Sequence, residues 1–201
     1  MMLGLLGLAI AYLIGAVPFG YLLVKLLRGG DVRASGSGNI GATNVLRTSG
    51  RTLGIVTLIL DIAKGFVAVW IVAVLTDHSM FWTSLAALAV MAGHAFPVFL
   101  GFQGGKAVAS FIGAFLYLAP LPLAAVLILF VAVVAVTGYI SLGSIMAAAA
   151  FPIGVWIVMH PGWELVLVAI IAGAFVVYRH KSNLERIRAG TENRFSWKRT
   201  T

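Results

Sequence analysis

Three polar clusters interrupt an apolar chain, and each carries groups suited to holding an anion. The first runs Ser35-Gly36-Ser37-Gly38-Asn39-Ile40-Gly41-Ala42-Thr43-Asn44-Val45-Leu46-Arg47. Glycine allows successive backbone N–H groups to converge, which makes an anion nest. Arg47 adds a planar, permanently charged fork that matches phosphate. The stretch therefore reads as a phosphate-binding loop at a membrane surface. Gly36-x-Gly38-x-x-Gly41 also fits a dinucleotide fingerprint, but that motif needs a preceding strand within a βαβ unit. Here a long apolar helix precedes it, and no acidic residue follows at a suitable distance. A plain Gly/Ser linker would not need two Asn, a Thr and an Arg.

The second cluster spans Gly93 to Lys106. Gly104-Gly105-Lys106 is expected to open a helix, whose free N–H groups and partial positive charge would join the lysine charge. A P-loop is excluded, because Leu100 and Ala107 stand where it requires Gly and Ser or Thr. The plain alternative is a lysine snorkelling at a helix end. His94 precedes the Gly-rich turn and could simply fix it. The third cluster is His180 to Glu192. His180 suits proton transfer as a general base; its alternatives are a phosphate hydrogen-bond donor or an interfacial residue. A short loop, Thr137 to Ser144, contributes Ser141. No His/Asp/Glu spacing resembles a metal site, so no metal and no cofactor are expected. No Ser–His–Asp or Cys–His arrangement offers an activated nucleophile.

The elements that position these clusters are membrane helices. The chain is 61% hydrophobic and 10% charged, against about 25% charged in soluble domains. Spans need about 20 apolar residues. Leu3–Leu23, Leu53–Leu75, Phe81–Phe99, Ser141–Met159 and Trp163–Val177 fit. Ala107–Leu118 and Leu123–Val136 are shorter and meet at a turn forced by Pro120 and Pro122. The expectation is an all-α integral membrane protein of about seven transmembrane helices, one domain over 1–201 with a short basic tail. The first segment lacks a basic n-region and reads as a retained helix. All but one of the fourteen Lys and Arg fall in the 25–52 loop, the 100–106 loop or the tail. That asymmetry puts the N-terminus outside and the C-terminus inside the cytoplasm. Arg194, Lys198 and Arg199 then serve membrane lipid and topology, and nucleic acid is not a partner. Asp61 and Lys64, one turn apart inside the second span, either pair structurally or line a site.

The clusters resemble the acyl-phosphate-dependent glycerol-3-phosphate acyltransferases of bacteria. Their first motif is matched by Ser37 to Asn44 with Arg47 following. The second is matched by Gly93 to Pro97 and Phe102-Gln-Gly-Gly-Lys-Ala-Val-Ala-Ser110, with Ala107 and Ser110 where the family usually has Gly and Thr. The third is matched at His180, Asn183, Arg186, Gly190 and Glu192, with Leu184 and Ile187 exchanging the usual order. The resemblance implies acyl transfer from acyl phosphate to the sn-1 hydroxyl of glycerol 3-phosphate, giving lysophosphatidic acid. It also implies a seven-helix fold with its active site on the cytoplasmic side of the bacterial inner membrane.

On that reading the loop Ser35, Gly36, Ser37, Gly38, Asn39, Gly41, Thr43 and Asn44 holds the acyl-phosphate head. Arg47, Lys106, His180 and Asn183 hold glycerol 3-phosphate, assisted by Gly104 and Gly105, while Ser141 lines either site. The two assignments are exchangeable. The leading alternative is a transporter of a small phosphate-bearing anion, which predicts paired halves with broken helices at the midplane; the sequence shows no internal repeat and places its clusters at one face.

Overall fold

The computed structural model describes residues 1–195, so the lipid-facing role read for Lys198 and Arg199 falls outside the described residues. Among those residues every regular element is helical. The chain forms two compact units, Met1–Leu118 and the part from Ala119 onward.

The first unit holds α1 (Met2–Ala16), α2 (Phe19–Arg28), α3 (Ala42–Ser49), α4 (Arg51–Leu75), α5 (Met80–Ala95) and α6 (Val108–Leu118). The expected first span is thus broken. Pro18 disfavours helical geometry in the residue before it, and Val17 is extended at φ −63° and ψ 114°. Helix α2 stops at Gly29 in the left-handed conformation, with Lys25 and Arg28 in its last turn. That is the charge placement a helix dipole favours.

Lipid supplies no hydrophobic drive between helices, so close backbone approach must hold them. Buried Gly4, Gly7, Ala11 and Gly15 recur along α1 at helical spacing. A Cβ on Gly15 would strike the Val90 carbonyl of α5, and one on Gly93 of α5 would strike the Tyr12 carbonyl of α1. Helices α4 and α6 meet in the same way, through Gly65 against Ser110 and Gly113 against Ile62.

The second unit holds α7 (Pro120–Thr137), α8 (Ile140–Met159), α9 (Trp163–Arg179) and α10 (Lys181–Arg188). The two prolines expected to make a turn lie inside the first turn of α7 instead. A proline there loses nothing, since its N–H would have no helical partner. Pro152 sits inside α8 and cannot bond the Ala148 carbonyl one turn back. Gly173 of α9 packs against that carbonyl, an approach only a residue without Cβ permits. Helices α9 and α10 bend by 50° at His180.

Each of the seven apolar segments named from the sequence holds an α-helix, though Leu3–Leu23 breaks at Val17 and Pro18 and the helix of Phe81–Phe99 ends at Ala95. Five candidate spans are long and apolar enough to cross a membrane: Met2–Arg28, Arg51–Leu75, Met80–Leu100, Pro120–Thr137 and Ile140–Met159. The bent α9–α10 pair would make six, and Val108–Leu118 is a shorter apolar helix.

Candidate active site

In the first unit the Ser35–Asn44 loop is built around one side chain. Asn44 is 2% exposed. Its Oδ1 accepts the Ser37 N–H at 2.8 Å. Its Nδ2 donates to the carbonyls of Val32 at 3.0 Å, Ser35 at 3.2 Å and Asn39 at 2.8 Å. A neutral amide thereby satisfies a turn that has no ladder of its own. Gly36 has φ +62°, and a Cβ there would strike Asn44 Oδ1. Val24, Val32, Ile40 and Val45 form the apolar floor.

These bonds change the expected donor set. The Ser37 N–H goes to Asn44, the Gly38 N–H to the Ser35 carbonyl, and the Gly41 N–H to Asn39 Oδ1. Much of the backbone nest read from the glycines is thus used to hold the loop's own shape. Asn44 is accordingly its brace and not a ligand-facing residue. Ser35, Gly36, Ser37 and Gly38 are exposed, Asn39, Gly41 and Thr43 are half-buried, and Arg47 is exposed in the last turn of α3. Beside Ser35 lies an open cleft of about 440 Å³, lined also by Arg28, Asp31, Thr48 and Ser49. Asp31 pairs with Arg33 at 2.7 Å. The hydrogen bonds from the Arg33 side chain and backbone hold the Asp31 carboxyl down to about 2.

Gly104-Gly105-Lys106 does not open a helix, because α6 begins at Val108. The run is irregular and bonded to the end of α5. Gly104 donates to the Ala95 carbonyl at 3.2 Å and Gly105 to the His94 carbonyl at 3.0 Å. The expectation that these two N–H groups face an anion is therefore corrected: they cap the C-terminal carbonyls of α5. Gly104 and Gly105 serve Lys106 by permitting that approach, since a Cβ on either would strike His94. Lys106 is half-buried beside them. Ala107 then turns the chain into α6 at φ +61°, a region costly for a residue with a Cβ.

In the second unit one carboxylate gathers the polar groups. Glu192 Oε1 accepts from Ser141 Oγ at 2.7 Å and from Asn183 Nδ2 at 2.6 Å. Its Oε2 accepts from Arg186 Nε at 2.7 Å. Ser141 and Asn183 are 6% and 4% exposed. Burial pushes the Glu192 carboxyl up, but those hydrogen bonds and the Arg186 charge outweigh it and hold the group ionised below the usual range. Glu192 was quoted in the third motif without a role. The available signal was an acid set between the bases Arg188 and Arg194.

His180 sits at the α9–α10 bend, 3% exposed. Its Nδ1 lies 2.8 Å from the Val176 carbonyl. A carbonyl only accepts, so Nδ1 carries a proton. Arg194 stacks on Tyr139, and the Phe195 N–H bonds the Gly138 carbonyl at 2.7 Å. Residues 194 and 195 are thereby tied to the turn that leads into α8, whose first turn carries Ser141. Among the described residues no group of His, Asp and Glu comes together as a metal site.

The comparisons with known proteins agree with one another. A family model described as Glycerol-3-phosphate acyltransferase matches residues 5–190. A glycerol-3-phosphate acyltransferase of Geobacter sulfurreducens is 48% identical over 187 residues, 93% of this chain and 95% of its own. That of Trichlorobacter lovleyi is 47% identical over 192 residues, 96% of this chain and 97% of its own. Among solved structures, PlsY (YgiH), an integral membrane glycerol 3-phosphate acyltransferase, superposes in its glycerol 3-phosphate form with a TM-score of 0.90. Identity is 35%, and 96% of each chain is covered. Its lysophosphatidic acid form gives a TM-score of 0.87 at 34% identity, covering 96% of this chain and 95% of that one.

Proposed function

The chain belongs to the glycerol-3-phosphate acyltransferase family, and we propose that it moves a fatty acyl group from acyl phosphate to glycerol 3-phosphate in one step. It is a multi-pass membrane acyltransferase of phospholipid synthesis. Acylation of glycerol 3-phosphate gives lysophosphatidic acid. The observation that carries this reading is the family match over 5–190, which takes in Ser35–Arg47, Lys106, Ser141, His180 and Asn183.

The sn-1 hydroxyl oxygen attacks the acyl carbonyl carbon, the acyl–phosphate C–O bond breaks, and inorganic phosphate leaves with that electron pair. The hydroxyl proton passes to His180 Nε2 or to a substrate phosphate oxygen. His180 lies within the matched family region, and an imidazole suits the first route. Acyl phosphate is already activated, so the protein's work is to position the reactants and neutralise charge. Arg47 and Lys106 meet phosphate. The exposed rim Ser35–Gly38 and half-buried Thr43 receive the acyl-phosphate head. Ser141 and Asn183, fixed by Glu192, orient the acceptor. We further read seven spans and a single functional domain, N-terminus outside, in the bacterial cytoplasmic membrane, with the chemistry on the cytoplasmic face where the basic loops lie.

The test is phosphate release from purified protein in lipid, given palmitoyl phosphate with and without glycerol 3-phosphate. Release that requires the acceptor and yields lysophosphatidic acid is the expected result. Release without acceptor would show a hydrolase. No release in either case would refute acyl phosphate as donor.

A further inference from the structure

Helix α4 buries two opposite charges in the first unit, and the reaction above uses neither. Asp61 is 2% and Lys64 5% exposed. Lys64 Nζ lies 2.8 Å from Asp61 Oδ1 and donates to the Val17 carbonyl at 2.8 Å, where α1 breaks from α2. His94, on α5, is 3% exposed and turns Nδ1 to the same Asp61 Oδ1 at 3.7 Å. At that distance the two groups face each other without a hydrogen bond.

The other edge of the imidazole faces the segment that leads to Lys106. A Cβ on Gly105 would run into His94 Nε2, and the Gly105 N–H bonds the His94 carbonyl at 3.0 Å. Beyond Lys106, Ser110 Oγ donates to the Asp61 carbonyl at 3.4 Å. Gly105 thus rests on the histidine beside the charge pair, and Ser110 on the α4 backbone at Asp61. Burying charges is expensive even when they are paired, and ionisable groups inside membrane helices mark a functional demand. Packing of small residues already joins α4 to α6, so cohesion alone does not require them.

We propose that Asp61, Lys64 and His94 form a positioning network that sets Lys106 through Gly105 and ties its segment to the α1–α2 break. None of the three touches substrate. The inference rests on the reading that Lys106 binds a substrate phosphate.

The test compares turnover, KM for glycerol 3-phosphate and unfolding temperature, in lipid, for His94→Asn, His94→Gln, Asp61→Asn and Lys106→Ala. An Asn amide replaces only the Nδ1 edge of histidine, whereas a Gln amide reaches the Nε2 edge that abuts Gly105. His94→Asn should lower kcat/KM by about 100-fold, the scale of a small misplacement of a reacting group. Its KM should rise while its unfolding temperature matches that of His94→Gln. The Gln variant should recover to within about tenfold of the parent. Asp61→Asn should fall in the same direction, and its effect should not add to that of His94→Asn.

Asn and Gln variants that fall together would overturn the network and leave His94 a packing residue. So would unchanged turnover in both, with Lys106→Ala inactive. If His94→Asn does not fold, Asp61→Asn decides: parental turnover there overturns the proposal. Full activity in Lys106→Ala would instead remove the underlying role of Lys106, and the network with it.

Discussion

The two polar centres are braced by opposite means. In the first unit Asn44, a neutral amide, holds the Ser35–Asn39 turn through four hydrogen bonds to backbone. In the second, Glu192, an ionised carboxylate, holds three side chains, Ser141, Asn183 and Arg186. The amide satisfies donors and acceptors together, which suits a loop rich in unpaired backbone. The carboxylate only accepts, which suits side chains that all donate. One brace is indifferent to pH and the other is not.

The comparison breaks most visibly at the amide. Asn44→Ala removes four bonds in a buried site and should cost on the order of 3 kcal/mol of local stability. Acyl transfer should fall by about 100-fold through misplacement of the loop. Hydrogen exchange of residues 35–44, read beside the assay, checks whether the loop opens. At the carboxylate the effect is smaller. Glu192→Gln keeps the shape, but its amide nitrogen faces the Arg186 guanidinium and cannot accept. A loss of about 1–3 kcal/mol is expected, with faster exchange at 139–144 and 181–188 and no change at 35–44.

Acid sharpens the contrast. Because the folded Glu192 pKa is depressed, its share of stability is complete above the ordinary Glu value of about 4.3. That share is lost as pH falls through the lower folded value. Acidification should therefore loosen the Glu192 cluster before the Asn44 loop, and Glu192→Gln should abolish the difference; exchange mapped across that pH range measures it. The smallest effect has the opposite sign. Ala107 at φ +61° and Phe102 at φ +63° strain the turn around Lys106. Ala107→Gly should add about 1 kcal/mol to stability, visible as a raised unfolding temperature.

Hydropathy made the helices legible, because a span must be long and apolar. Trp163–Val177 was read where the helix is Trp163–Arg179, and Ser141–Met159 where it is Ile140–Met159. Prolines were less legible. Pro18 breaks a helix, while Pro120 and Pro122 sit in the first turn of one; their effect depends on where the helix starts, which composition does not show. Helix α3 was invisible because its sequence is polar and rich in Thr, Ser and Asn; Gly54 of α4 packs against its Leu46.

At the candidate site the residue types were readable but the bonds were not. The glycines of the first cluster pointed to converging N–H groups, yet Asn44 and Asn39 consume several. Asp61 and Lys64 stood open between a structural pair and a site lining, and their burial and 2.8 Å contact show the pair. The replacement of glycine by Ala107 looked mild in sequence. It falls at a position whose left-handed backbone makes it a strained choice.

The α1–α5 seam has a consequence for temperature. Gly15 and Gly93 bring bare backbone against bare backbone, so the contact depends on dispersion within lipid and not on expulsion of water. Hydrophobic association weakens on cooling because it carries a large heat-capacity change. A seam that buries no hydrated surface lacks that curvature. It keeps its grip as the membrane chills, and the break after α1, on which the Lys64 contact rests, stays in register when a water-driven interface would begin to slacken.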